Sequence, residues 1–79
     1  MSFLNSNVAE NYQDIDELHF GRVLNDQRKA LGIDLVTLEL QTGISVSTLK
    51  RLFRNPSQVK FSSVLLVAKT LGMPLCYVK

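Results

Sequence analysis

The stretch that most constrains the fold spans residues 37–54 and turns on a glycine, Gly43, near its centre. A helical pattern precedes this glycine over residues 34–42, and a second one follows it over residues 45–54. Glycine adopts the left-handed backbone conformation that commonly ends a helix. Ser45 is suited to cap the second helix, because its hydroxyl oxygen accepts a hydrogen bond from a first-turn N–H. Two short helices joined by a tight glycine turn predict a helix-turn-helix.

The second of these helices has one apolar face and one cationic face. Leu52 and Phe53 follow Leu49 by three and four residues, so the three side chains share one side of a helix. The other side carries three cations and no anion, which suits the DNA major groove. A solvated surface helix would carry the same charges, but the glycine turn and the flanking helices favour DNA binding. The cationic face comprises Ser47, Lys50, Arg51 and Arg54.

Length and charge support the same interpretation. The chain has 79 residues, of which 46% are hydrophobic and 20% charged, which predicts a single small domain. Its net charge of +2 is unevenly distributed. Residues 1–19 contain four acids and no Lys or Arg, whereas residues 20–60 contain seven cations and three acids. The positive charge is therefore centred on the predicted helix-turn-helix, where phosphate would lie.

The composition argues against an enzyme and against a membrane protein. Cys76 is the one cysteine, so an internal disulfide is impossible, as suits a reducing cytoplasm. The sequence has neither an apolar run of membrane-spanning length nor a signal-peptide start. His19 and Cys76 have no partners at metal-ligand spacing, and no nucleophile–base pair is recognisable. We therefore expect a cytoplasmic, non-enzymatic protein without metal, cofactor or membrane partner.

Further helices are predicted on both sides of the central stretch. The first begins near Asp14 or Asp16, either of which is able to cap it, and ends at Gly32. Asp34 caps the second helix, and a fourth helix covers residues 61–71. The predicted inward residues are Phe20, Val23, Leu24 and Leu31 on the first helix, Leu35 and Leu38 on the second, and Phe61, Val64, Leu65, Ala68 and Leu71 on the fourth.

The two ends of the chain flank a predicted helix-turn-helix domain of residues 14–72. Residues 1–13 lack a sustained period and form an N-terminal arm or a frayed terminus. Residues 73–79 are rich in β-compatible side chains and predict a C-terminal strand. Because no other segment is predicted to be a strand, its partner would come from a second copy, antiparallel across a two-fold axis. The predicted dimer interface comprises Leu66, Val67, Met73, Leu75, Cys76, Tyr77 and Val78.

These motifs resemble those of the phage-repressor and Cro family of helix-turn-helix proteins. The run from Phe20 to Gly32 is similar to that family's first helix, and GISVSTL at residues 43–49 is similar to its turn and recognition helix. A closer resemblance is to the HipB-like antitoxins, the DNA-binding partners of HipA-type kinase toxins. It is carried by Asn55-Pro56 directly after the recognition helix, by the ungapped spacing to FSS at residues 61–63, and by the terminal apolar strand.

The resemblance implies a fold and a set of DNA contacts. The fold would be all-α, a lambda-repressor-like domain of four to five helices whose short C-terminal β-strand pairs across a homodimer. Val46 would touch a thymine methyl, and Ser47 would bond either base type. Lys50 or Arg51 would bind the O6 and N7 atoms of guanine. Phosphate contacts, which fix register without encoding sequence, would come from Ser45, Thr48, Arg54, Asn55 and Lys60.

Three positions depart from the family pattern. Leu35 stands where the family usually has a phosphate-binding glutamine, and Glu39 stands where it usually has a small residue. Phe53 replaces a glutamate that often forms a buried ion pair with the arginine at position 28. We therefore expect Arg28 to be free for a phosphate or an interface.

The function implied by the resemblance is a sequence-specific transcriptional repressor that binds a palindromic DNA operator. It would also be the antitoxin of a HipBA-type toxin–antitoxin system that autoregulates its operon, with a HipA-like kinase toxin as its partner. Two alternatives remain open. One is a phage or restriction–modification regulator without a toxin partner, and the other is a protein-interaction module that has lost DNA binding, which Leu35 and Glu39 favour.

Overall fold

The computed structural model describes residues 16–76, which form four α-helices and one short 3-10 helix. The α-helices are α1 (Glu17–Ala30), α2 (Leu35–Thr42), α3 (Val46–Arg54) and α4 (Phe61–Thr70), and the 3-10 helix (Pro56–Gln58) lies between α3 and α4. Residues 16–76 contain no strand, so the all-α prediction is confirmed for this range. Within the described range no helix combines the length and apolar character needed to cross a membrane.

The first two helices begin at aspartate caps. Asp16 accepts a hydrogen bond of 3.1 Å from the backbone N–H of His19 and thereby begins α1. Asp34 accepts one of 2.7 Å from the backbone N–H of Thr37 and begins α2. Each bond satisfies a first-turn donor that has no partner within its own helix. The prediction that Asp34 caps the second helix is thus confirmed, and Asp16 is confirmed as a cap, while Asp14 lies outside the described residues.

The core contains side chains from all four helices. α3 contributes three of them, Leu49, Leu52 and Phe53, so the predicted apolar face of α3 is confirmed. Partly buried side chains from the connections pack around this core, which extends the apolar contact beyond the helices. The buried hydrophobic residues are Leu24, Leu38, Leu49, Leu52, Phe53, Val64, Val67, Ala68 and Leu71.

The inward face of α4 differs from the predicted one. Phe61 is 69% exposed and Leu65 is 38% exposed, whereas Val67 is fully buried in the chain's own core. The prediction that Val67 contributes to a dimer interface is therefore wrong, because no part of its side chain remains for a partner. Leu31 was also predicted to face inward, but it follows the last residue of α1 and is 51% exposed. The inward residues that α4 and its C-terminal cap supply are Val64, Val67, Ala68 and Leu71.

The chain after α4 folds back onto the core. Gly72 has a φ of 78°, and the backbone N–H of Met73 donates to the carbonyl oxygen of Ala68 at 2.8 Å. Met73 and Leu75 then pack against the buried cluster. Residues 73–76, the described part of the predicted strand, are not a strand in this single chain. Tyr77 and Val78, like the predicted arm of residues 1–13, lie outside the described residues.

Candidate nucleic-acid interface

The turn between α2 and α3 is held by backbone and hydroxyl hydrogen bonds. Gly43 adopts a left-handed conformation with a φ of 77°, and its N–H donates to the carbonyl oxygen of Glu39 at 2.7 Å. Ser45 caps α3, because its hydroxyl oxygen accepts from the backbone N–H of Thr48 at 3.3 Å. The Ser45 hydroxyl in turn donates to the Thr48 hydroxyl at 3.0 Å. The predicted glycine turn and serine cap are therefore both confirmed.

The two faces of α3 differ in exposure as their residue types predict. Ser47, Lys50, Arg51 and Arg54 are exposed, and these four residues constitute the polar face of α3. Val46 and Thr48, at the start of α3, are partly buried. Arg51 and Arg54 lie in the last turn, where cations interact favourably with the helix dipole. The polar face is therefore both cationic and open to solvent.

A groove runs from this turn to the start of α4. Lys60 is the N-cap of α4 but makes no side-chain capping bond. Its carbonyl oxygen accepts from the N–H groups of Ser63 and Val64, at 3.0 Å and 3.2 Å. The two preceding N–H groups are among those that an α-helix leaves without a partner, and such a terminus attracts anions. The groove is lined by Gly43, Ile44, Ser45, Thr48, Arg51, Gln58, Val59, Lys60 and Ser63.

The groove brings together predicted residues and residues that the sequence analysis missed. Arg51 and Lys60 both line it, although they lie on opposite sides of the 3-10 helix in the sequence. Gln58 and Ser63 line it as well and were not predicted. The sequence signal that would have indicated them is the start of α4 itself, since a helix N-terminus next to a lysine favours phosphate. Two cations and a helix terminus here form a surface suited to an anionic backbone.

Asn55, predicted to contact phosphate, has a structural role after α3. Its side-chain oxygen accepts from the backbone N–H of Ser57 at 3.1 Å and from the Ser57 hydroxyl at 2.7 Å. These bonds begin the 3-10 helix, whose first residue, Pro56, is buried. The phosphate contact predicted for Asn55 stays a prediction, and the side-chain oxygen is already bonded within the turn.

Arg28 is engaged within the protein, contrary to the prediction. Its Nε donates to the side-chain oxygen of Asn25 at 3.0 Å, and its Nη1 donates to the carbonyl oxygen of Ile33 at 2.7 Å. The guanidinium carbon also lies 5.8 Å from the centroid of the Phe53 ring, within cation–π distance. The expectation that Arg28 has no partner within the chain once Phe53 replaces the glutamate is therefore wrong, because two of its five N–H donors and one guanidinium face are engaged. The phosphate contact predicted for Arg28 stays a prediction.

Gly21 is a further residue whose importance the sequence analysis missed. A Cβ atom at this position would lie 2.5 Å from the carbonyl oxygen of Phe53 and 3.0 Å from Cδ of Pro56. Both distances are shorter than ordinary contacts, so the absence of a side chain lets α1 approach the end of α3. Gly21 thus fixes how closely the helix that carries the polar face packs on the rest of the domain.

The other predicted positions differ in how far they are exposed. Leu35 is partly buried against the core, as suits an apolar side chain at a position where the family usually has a glutamine. Glu39 is partly buried too, and its carbonyl oxygen takes part in the turn. Leu66, predicted for a dimer interface, is 40% exposed, and Cys76 is exposed. Within residues 16–76, no group of three or more His, Cys, Asp or Glu side chains is arranged to hold a metal ion.

Comparison with known proteins gives two matches. The model of the family HTH_3, described as helix-turn-helix, matches residues 24–78. An uncharacterized HTH-type transcriptional regulator of Haemophilus influenzae is 67% identical over 57 residues, which cover 72% of this chain and 56% of the relative. The chain thus spans about half the length of this curated relative. The residues that the family model matches include Gly43, Ser45 and the whole of α3.

Proposed function

This chain belongs to the helix-turn-helix family HTH_3, and on that premise we propose that it is a transcriptional regulator that binds specific DNA sequences through α3. The observation that carries the proposal is the polar face of α3, which is exposed and cationic while the opposite face is buried. A buried apolar face fixes the helix to the domain, and the exposed face is then available to a DNA groove. The name of the Haemophilus influenzae relative supports the same function.

The proposed contacts divide between bases and phosphates. The proposed base contacts are Val46, Ser47, Lys50 and Arg51. An apolar side chain contacts a thymine methyl, a hydroxyl bonds either base type, and a cation binds guanine. Lys60 and the start of α4 are proposed to bind a phosphate, because the exposed cation lies beside helical N–H donors. Ser45, Thr48, Arg54 and Asn55 are the other proposed phosphate contacts.

We extend the proposal to a homodimer. Leu65 and Leu66 on α4 are 38% and 40% exposed, which leaves apolar surface on this helix. Leu66, Met73, Leu75 and Cys76, with Tyr77 and Val78 beyond them, are the proposed contacts between copies. A two-fold axis would set the two α3 helices about one DNA turn (~34 Å) apart, so the operator would be a palindrome.

A second, narrower proposal is the antitoxin role. Its support is the Asn55-Pro56 junction after α3, which carried the resemblance to HipB-like antitoxins and which forms the 3-10 helix. A gene for a HipA-like kinase next to the gene of this chain, with co-purification of the two proteins, would support it. A neighbouring phage integrase or restriction gene would favour the regulator without a toxin partner.

The function is tested by selecting bound duplexes from a random DNA library and measuring affinity for the enriched sequence. Lys50→Ala or Arg51→Ala should cost about 1–3 kcal/mol of binding free energy and relax specificity, because each would remove a base contact. Arg54→Ala should weaken binding to all sequences alike and reduce the salt dependence, because a phosphate contact releases counterions. Lys69→Ala is the control, since Lys69 is an exposed cation at the far end of α4 from Lys60.

Two outcomes would contradict the proposal. Unchanged binding in all three α3 variants would show that this face does not enter the groove. Enrichment of a single asymmetric site would contradict the homodimer while leaving the DNA-binding function in place.

A further inference from the structure

We infer that Arg28 is a positioning residue that sets the orientation of α3 and thereby the sequence selectivity of the chain, an inference that rests on the proposed function. Its guanidinium joins three separate segments. It bonds Asn25 on α1, the carbonyl oxygen of Ile33 in the connection to α2, and it lies over the Phe53 ring on α3. It thus connects the start of the helix-turn-helix with its end.

The chemistry of the site suits a guanidinium and no other cation. Arg28 is partly buried, and its three partners are two neutral oxygens and an aromatic face. A guanidinium is planar and less strongly hydrated than an ammonium, and its donors point in fixed directions. It is therefore able to donate along its edge to both oxygens while its face lies over the ring. A lysine would keep the charge but lose this geometry.

The contact with Phe53 connects Arg28 to base recognition. Phe53 lies near the end of α3, is 7% exposed, and has its carbonyl oxygen against Gly21 of α1. The end of α3 is thus constrained by a backbone contact and by a side-chain contact. Lys50 and Arg51 stand on the same helix a few residues earlier. Because hydrogen bonds weaken steeply with distance and angle, a small rotation of α3 would disturb base contacts more than phosphate attraction.

The test compares Arg28→Lys with Phe53→Leu and with the double variant, on the selected duplex and on a scrambled duplex of the same length. Arg28→Lys should lower the ratio of specific to non-specific affinity by about tenfold, since charged hydrogen bonds and a packed ring contact are lost. The salt dependence should stay unchanged, because no phosphate contact is removed. Arg22→Lys, the same change at an exposed position of α1, is the matched control and should alter neither quantity.

The double variant shows whether the effect passes through the ring. If Arg28 acts through Phe53, the losses in specificity ratio should be non-additive, and the double variant should resemble the single ones. Additive losses would overturn the inference. A salt slope reduced by about one unit per subunit would also overturn it, since Arg28 would then be a phosphate contact. A lower melting temperature with an unchanged specificity ratio would reduce Arg28 to a stabilising residue and overturn the inference as well.

Amide hydrogen exchange keeps the inference testable if no DNA sequence is enriched, an outcome that would count against the proposed function instead. Arg28→Lys should then accelerate exchange at the end of α3 and in the connection between α1 and α2 relative to α4, because the guanidinium contacts Phe53 on α3 and Ile33 in that connection. Equal acceleration of exchange in all four helices, or no acceleration in any of them, would overturn the positioning role.

Discussion

Two regions of the molecule use arginine in opposite ways. In the region where α1 crosses the end of α3, which we call the crossing (Gly21, Arg28, Phe53), Arg28 has two carbonyl-type oxygens and an aromatic ring as partners. On the polar face of α3, Arg51 and Arg54 are exposed. The comparison shows that a cation near a helix-turn-helix is able to take its partners from its own chain. Arg28 uses two of its five N–H donors within the chain.

The largest expected effect separates the two sides of α3 at adjacent positions. Leu49 is fully buried, so Leu49→Ala should lower the free energy of unfolding by about 2–5 kcal/mol through lost burial and a cavity. Lys50 is exposed, and Lys50→Ala should change the free energy of unfolding by no more than about 0.5 kcal/mol. Denaturant unfolding measures both values. Similar losses in the two variants would mean that the separation of the faces is incorrect.

The next effect tests the crossing itself. Gly21→Ala should lower the free energy of unfolding by about 1–3 kcal/mol, because the added methyl group would meet the Phe53 carbonyl oxygen at 2.5 Å and force α1 and α3 apart. Arg22→Ala, one residue along α1 and exposed, should have little effect and serves as the control. Thermal unfolding of the two variants distinguishes them. Stabilisation by Gly21→Ala, as expected from helix propensity alone, would contradict the close approach.

The smallest effect concerns pH and lies at the edge of the crossing. The hydrogen bonds from the backbone N–H and the side chain of Thr37 lower the pKa of Asp34 below its usual value of 3.8, and the charge of Arg28 adds a smaller effect in the same direction. A lowered pKa in the folded state means that the carboxylate stabilises the fold above the unfolded value and loses this contribution as the pH falls through the folded value.

The corresponding measurement is the free energy of unfolding of the wild type and of Asp34→Asn, followed from pH 6 to a pH below the pKa of Asp34 in the folded state. Asparagine is able to cap α2 without titrating, so the variant should lose less stability than the wild type as the pH falls below about 4. Parallel curves for the two proteins would show that Asp34 has no lowered pKa. A steeper loss in the variant would mean that its amide does not replace the cap.

Much of the fold follows from local patterns. Asp16, Asp34, Gly43 and Ser45 were identified as helix boundaries because capping depends on side chains within a few residues of the backbone groups they satisfy. The two faces of α3 followed from the spacing of apolar and charged residues. The identification of a helix-turn-helix also needed only this stretch, and the family match agrees with it.

The prediction was least accurate where spacing permits more than one packing. The apolar residues of α4 span a wide arc, so periodicity alone did not show that Val67 is buried and Phe61 is exposed. The contacts of Leu66, Met73 and Leu75 with a second copy stay a prediction, because they depend on an arrangement of two chains that one sequence pattern does not determine.

By itself, the sequence determined the helices, their caps, the glycine turn and the cationic side of α3, because each depends on interactions between residues near one another in the chain. The tertiary structure alone decided that Arg28 binds within the protein, that Gly21 must lack a side chain, and that Lys60 joins Arg51 in one groove. These facts depend on how closely and at what angle helices pack. Packing is set by the shapes of side chains that are distant in the sequence, so no local spacing encodes it.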